Sequence, residues 1–348
     1  MLTILAQGGS MPLSFCFSRA VRALLIAFTI VLSACSRPPA PETVVLNTPH
    51  SQLTSLVWLT RELGLFSRHR LDVQLQAYPS GKRALQALLD GHGQLALTAE
   101  TPFVIAAFTH PRLRLFATLG QSDNEIRILA RADRGIHVPA DLRDHVIATQ
   151  RGSAVHFFLS SFLLYHGIPE QAVRIRFLKA EALAPAFIQG SVDAISMRDP
   201  ILHAAASGLE PGQITEFAEP GLYTKTYNLV GPADYPAQNP GVLERLLQAL
   251  DAAARYAEAH PRDTIERIAR AIDVPASRIT REWDDMRLAV SLNQGLLTTL
   301  QEEARWVIEN RLVEPIPDQV PDFLARLDPG PLSRAVPDAV GLIGIDSQ

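Results

Sequence analysis

Residues 146–167, VIATQRGSAVHFFLSSFLLYHG, change character in the middle. A β-branched run stops at Gln150, Arg151-Gly152-Ser153 follows, and apolar residues then recur at helical spacing as far as Gly167. A strand that opens straight into a helix exposes backbone N–H groups at the positive end of the helix dipole, and that attracts an anion. The same three residues also make an ordinary N-cap at Ser153. Two more junctions place polar residues between a short strand and a Pro at a helix start: Thr98-Ala99-Glu100-Thr101-Pro102 and Arg198-Asp199-Pro200. The guanidinium of Arg198 suits a carboxylate or sulfonate, or it pairs with Asp199 or Glu100. A carboxylate at Glu100 favours an amine or another donor.

Other chemistries find less support. Gly91-His92-Gly93-Gln94-Leu95-Ala96 fits G-x-G-x-x-A, but it follows a helix and precedes a strand, the reverse of a dinucleotide fingerprint. The 10 histidines form no H-E-x-x-H or other close cluster, so no metal and no cofactor are expected. No nucleophile stands beside a base, and an enzyme is not expected. Trp58, Trp283 and Trp306 fall within helical patterns and read as core.

Composition narrows the partners. Lys+Arg 32 against Asp+Glu 36 leaves no basic surplus for a phosphate backbone, which excludes nucleic acid. Arg19 and Arg22 precede the apolar stretch ALLIAFTIVLSA, which has the length of a signal-peptide core and is short for a membrane span. Leu32-Ser33-Ala34-Cys35 directly after it resembles the lipobox of bacterial lipoproteins, which implies acylation of Cys35. Residues 1–34 are then a signal peptide and 35–42 a lipid-anchored linker. Cys16 leaves with the signal, so the mature chain has no disulfide, and stability must come from its core.

The elements that must position the polar junctions alternate from Thr43 onward. TVVLNT reads as a strand, LTSLVWLTRELGLF as a helix, LDVQLQAY as a half-buried strand, and Ser80-Gly81 opens the helix KRALQALLDG. QLALTA is a strand before Pro102. This order argues for doubly wound α/β sheets. FIQGSVDAISMRDP repeats the plan of LLDGHGQLALTAETP: helix end, Gly, short strand, polar residues, Pro. A pair of similar lobes is the simplest account of the repeat, two coincident βα units within a single sheet being the alternative, and the lobe boundaries would fall near the extended segments ILARAD and TYNLVGPAD. Asn239-Pro240 predicts a helix N-terminus with Leu243, Leu246, Leu247, Leu250 and Ala254 on one face. Further helices are expected over about 263–272, 277–286 and 293–310, and an unpatterned, poorly ordered tail over 328–348.

The ordered set RELGLFSRHRLDVQLQAYPSGKRALQALLDGHGQLALTAETP, ADRGIHVPADLRDHVIATQRGSAVHFFLSSFLLYHGI and FIQGSVDAISMRDP resembles the substrate-binding proteins of ABC importers for nitrate, sulfonates and taurine, a group that includes thiamin-precursor binders. The likeness runs from Thr43 to Leu327. It implies a two-lobe periplasmic-binding-protein fold that closes like a flytrap, each lobe a doubly wound sheet, with a helical C-terminal part. Lobe 1 would combine 43–129 with 229–327, and lobe 2 would be 130–228. Thr98, Glu100 and Thr101 would line one wall of the cleft, Arg198 and Asp199 the other. Gly152 and Ser153 would offer N–H groups and a hydroxyl, with His156 one turn along, and His50, Ser80 and Tyr227 complete the expected ligand set. The implied partners are a small anionic or zwitterionic ligand, an ABC permease with its ATPase, and a membrane reached through lipid on Cys35, the protein being periplasmic and monomeric. The alternative on this fold is an enzyme of thiamin-precursor or menaquinone synthesis.

Overall fold

A computed structural model describes Thr3 and residues 40–210, 212–315 and 319–343 of the chain. The signal segment and the lipobox-like Leu32–Cys35 lie outside the described residues. Residues from Glu42 onward form one compact unit built on two sheets.

The larger sheet takes β1 (Glu42–Pro49), β2 (Leu71–Tyr78), β3 (Leu95–Thr98) and β4 (Leu113–Ser122). The chain then crosses to the smaller sheet, made of β5 (Arg127–Arg131), β6 (Val146–Thr149), β7 (Arg174–Phe177), β8 (Ala194–Met197) and β9 (Ile214–Phe217). It returns through β10 (Lys225–Pro232), and β11 (Met286–Asn293) and β12 (Val340–Gly341) finish the larger sheet. The orders are β12-β11-β4-β10-β3-β1-β2 and β7-β6-β8-β5-β9. Both sheets therefore share one plan. Three parallel strands lie beside an antiparallel strand that has just crossed over, β10 in one sheet and β5 in the other. β3 and β8, the strands of the two repeated sequence stretches, hold the same place in their sheets.

The helices follow from burial on one face. In the helix Val242–Ala259 the residues Leu243, Leu246, Leu247 and Leu250 are fully buried against the larger sheet. Phe158, Leu159, Phe162 and Leu163 of the helix Ala154–Tyr165 enter a separate core on the smaller sheet. At about 25 cal/mol per Å² of apolar surface, such side chains carry most of the stability of a disulfide-free fold.

Four expectations are corrected. The strand β5 begins at Arg127 and β10 occupies Lys225–Pro232, so the crossovers are 123–126 and 218–224 and fall a few residues before the expected lobe boundaries. Val242 begins its helix after Gly241 at φ +73°, while Asn239 closes the preceding turn by donating to the Tyr235 carbonyl at 3.0 Å. The helix expected over 277–286 ends at Glu282, and Met286–Asn293 is a strand that pairs antiparallel with β4. The tail is ordered as far as residue 343: Gly330–Ala335 is helical, and Leu332 is fully buried. The Asp328 N–H donates to the Leu115 carbonyl at 3.0 Å, and Val340 pairs with Leu292. Backbone pairing and a few buried side chains, rather than a long helical face, dock this tail.

Candidate functional site

A cavity of about 220 Å³ lies between the two sheets. Its walls come from the carboxyl ends of all six parallel strands. After β1 stands His50, after β2 Pro79-Ser80-Gly81-Lys82, and after β3 Ala99 and Pro102. Facing them are Gln150 and Ser153-Ala154-Val155 after β6, Ala180 after β7, and Arg198-Asp199-Pro200-Ile201 after β8. Lys225 and Tyr227 of β10 form the floor. Open α/β sheets receive ligands at this end, in the crevice outside the carboxyl ends of the strands.

Each of these loops starts a helix. The helices Gly81–Leu89, Glu100–Ala107, Ala154–Tyr165, Ala180–Ile188 and Ile201–Ala206 all turn their N-termini to the cavity. Their unpaired N–H groups and dipoles make the space electropositive. Gly81 lets the first helix come close: a Cβ there would lie 2.9 Å from Cε1 of Tyr227 and 3.1 Å from Cα of Thr98.

Three cations reinforce the field. Lys82, whose ammonium is pushed below its ordinary pKa by burial and then by Arg83 and Arg151, donates to the Arg151 carbonyl on the facing sheet at 3.3 Å. Arg198 makes no ion pair among the described residues and donates to the Asp199 carbonyl at 3.2 Å. Burial works against its charge, but Tyr227, Glu125, Glu282 and Asp199 outweigh that and hold its pKa above the ordinary value. Lys225 pairs with Glu125. The one carboxylate on the wall, Asp199, lies 3.7 Å from Arg127 and accepts the His203 N–H at 2.9 Å.

Of the residues expected at the site, His50, Ser80, Ser153, Arg198, Asp199 and Tyr227 line the cavity. Thr98, Glu100 and Thr101 stand behind the wall instead, each fully buried. β3 is a central strand between β1 and β10, so Thr98 is enclosed by its neighbours. Glu100 accepts the Thr226 N–H, and Thr101 donates to Glu303 at 2.8 Å. Gly152 and His156 are also drawn off. The Gly152 N–H donates to Nδ1 of His156 at 3.4 Å, and the imidazole packs edge-on against Phe177 and Trp306, each at 4.8 Å. Burial, then Arg151, push the His156 pKa down to about 4, so the ring is neutral at pH 7. The Ser153 hydroxyl donates to the Gln150 carbonyl at 2.6 Å, which leaves its oxygen free to accept.

Lys82, Gln150 and Lys225 are the polar wall residues that sequence reasoning missed. For Lys225 a signal existed: it precedes Tyr227 by two residues in a strand, and the period of two puts both on one face. Among the described residues no three His, Cys, Asp or Glu side chains gather to hold a metal ion.

The sequence profile described as NMT1/THI5 like matches residues 54–264, more than half of the chain. The chain belongs to the NMT1/THI5-like family. A protein of Escherichia coli (strain K12) named for binding aliphatic sulfonates is 25% identical over 243 residues, which cover 68% of this chain and 74% of that protein. Among solved structures, the periplasmic aliphatic sulphonate binding protein SsuA from Escherichia coli superposes with a TM-score of 0.68 at 21% identity, covering 82% of this chain and 97% of that one. The alkanesulfonate-binding protein SsuA from Xanthomonas axonopodis pv. citri, bound to MOPS, gives a TM-score of 0.67 at 20% identity, covering 87% and 99%. This NMT1/THI5-like chain thus has the periplasmic-binding-protein fold.

Proposed function

We propose that this NMT1/THI5-like protein is the extracytoplasmic solute-binding component of an ABC importer, and that it closes its two lobes on a small anion or zwitterion of the sulfonate, carboxylate or nitrate class. The observation that carries the reading is the convergence of five helix N-termini with Lys82, Arg198 and Lys225 on one small cavity between two sheets. Each dipole contributes about 0.3–1 kcal/mol toward a bound negative charge. The names of the similar proteins favour a sulfonate within that class. Ligand contacts from both sheets favour the closed arrangement, and a permease with its ATPase would recognise closure.

The cavity favours binding over chemistry. Its two serines are engaged by the backbone, since Ser80 accepts the Arg83 N–H and Ser153 donates to Gln150, and the His50 ring packs on Trp58 at 4.6 Å. None of them forms a nucleophile–base pair.

Export and anchoring rest on sequence. The apolar stretch before Leu32-Ser33-Ala34-Cys35 supports secretion, with acyl chains on Cys35 tethering a monomeric periplasmic protein to a membrane. No described helix is long and apolar enough to cross a membrane. Replacing Cys35 by Ala should move the protein from the membrane to the soluble fraction.

A thermal-shift and native mass-spectrometry series with ethanesulfonate, taurine, acetate, nitrate and an uncharged pyrimidine tests the binding reading. Stabilisation confined to anionic or zwitterionic compounds, lost in Arg198→Ala, is expected. Stabilisation by the pyrimidine alone, or recovery of a chemically altered ligand, would overturn it.

A further inference from the structure

Lys225 occupies an unusual place. It is the first residue of β10, immediately after the crossover 218–224, and it pairs in register with Ser122, the last residue of β4 before the crossover 123–126. Its ammonium bonds to the carboxylate of Glu125, which lies in that second crossover. Both side chains are withdrawn from solvent, at 3% and 9% exposure, so each needs the other as counter-charge. Ser51 donates to the far oxygen of Glu125 at 3.5 Å, and the Lys225 ammonium sits 4.7 Å above the ring of Tyr227. The pair ties the first residue of β10 to the crossover 123–126.

Lys225 also lines the cavity between the sheets. An ammonium has three donors and Glu125 engages one side of it, so an oxyanion in the cavity meets a charge already held by the crossover. We propose that Lys225 is the anion-sensing residue of this protein, shared between Glu125 in the crossover and the oxyanion of the ligand, so that binding and lobe angle draw on one positive charge. The proposal rests on the anion-binding reading above and adds to it a specific residue and a specific competitor. Burial raises the Glu125 carboxyl, but Lys225 and Arg198 outweigh it and hold the group below its ordinary pKa, which keeps the competitor ionised.

Competition sets opposite signs for the two partners. Removing the negative charge by Glu125→Gln frees Lys225, and the affinity for an anion should rise about tenfold. Removing the positive charge by Lys225→Met should weaken it by about tenfold or more. A pair that only holds the fold together would lower stability in both variants and move affinity in neither direction selectively.

The test uses the full chain, with inorganic sulfate and ethanesulfonate as separate probes. Calorimetry measures affinity, and small-angle X-ray scattering measures lobe closure. Circular dichroism verifies folding, and the double variant Lys225→Met/Glu125→Gln, which leaves no unpaired buried charge, serves if either single variant unfolds. The expected results are tighter sulfate binding in Glu125→Gln, weaker binding in Lys225→Met and in the double variant, and loss of anion-induced closure wherever Lys225 is gone. Ethanesulfonate bound by Lys225→Met as by the wild type would overturn the lysine assignment and leave the sulfonate reading intact. Sulfate responses of the expected signs without any binding of ethanesulfonate would uphold the lysine and overturn the sulfonate class. A wild-type protein indifferent to both anions would overturn both.

Discussion

Gly81 and Tyr227 hold the floor of the cavity against its wall: the space a Cβ on Gly81 would need is taken by the Tyr227 ring, 2.9 Å away. Gly81 starts the helix after β2 and Tyr227 belongs to β10, and their contact sets how closely the helix Gly81–Leu89 approaches β10 at the cavity. The positive end of that helix is useful only at hydrogen-bonding distance.

Gly81→Ala should therefore push Tyr227 or the helix away. An overpacked contact of this kind costs about 1–3 kcal/mol. Denaturant melts should show the lost stability, and calorimetry with ethanesulfonate should show weaker binding. An unchanged melting midpoint together with unchanged affinity would refute the contact.

Glu100 makes stability depend on pH. Burial pushes its carboxyl up to about 7 from 4.5, with the N–H groups at its own position and at Thr226, and the charge of Lys225, opposing that rise. Glu303, fully buried beside Thr101 and Tyr223, is raised in the same direction. A folded carboxyl with a raised pKa contributes stability that is complete below the unfolded value of 4.5 and is lost as pH rises through about 7. Glu100→Gln keeps an acceptor for the Thr226 N–H and should flatten that dependence. Urea melts at pH 5 and pH 8 compare the two proteins, and equal slopes in both would count against the assignment.

His156 acts with the opposite sign. Its folded pKa of about 4 lies below the unfolded 6.5, so the unfolded chain takes up a proton first and stability falls as pH drops through that interval. His156→Phe, which preserves the edge-on packing with Trp306, should remove this loss while changing anion affinity less than about twofold, because the ring is outside the cavity wall. A large loss of affinity in that variant would return His156 to the ligand set.

Leu332 docks the C-terminal segment. Its side chain is fully buried, so Leu332→Ala should cost about 2–5 kcal/mol. A variant ending at residue 327 should melt lower by a similar margin. Equal melting temperatures for the shortened and full chains would place the segment outside the cooperative fold.

Much of this architecture was legible because local pattern and tertiary role coincide. The strand LDVQLQAY alternates as the outermost strand of its sheet must, and the helix with Leu243, Leu246, Leu247 and Leu250 buries the face its spacing predicts. The repeated strand, polar, Pro device marks β3 and β8, which hold equivalent places in two sheets of the same order. Strand β11 and the docked tail escaped notice. Met286–Asn293 follows the helix Ala276–Glu282 after a short turn at Trp283-Asp284-Asp285, and the tail depends on a hole for Leu332 that only distant elements create.

At the site the division is sharper. Residue type and spacing alone determined that polar junctions stand at strand ends, and Ser80, Ser153, Arg198 and Asp199 reach the cavity because a strand end is local geometry. Depth behind the wall is decided elsewhere. Glu100 and Thr101 begin their helix as expected, yet the neighbouring β10 and the Glu303 helix cover them, and His156 turns to Trp306 rather than to the ligand space. Lys225 enters the cavity for the same reason: β10 returns from the far lobe and inserts between β3 and β4. Burial of a given side chain depends on which distant segment packs over it, and a single strand or helix read by itself carries no record of that neighbour.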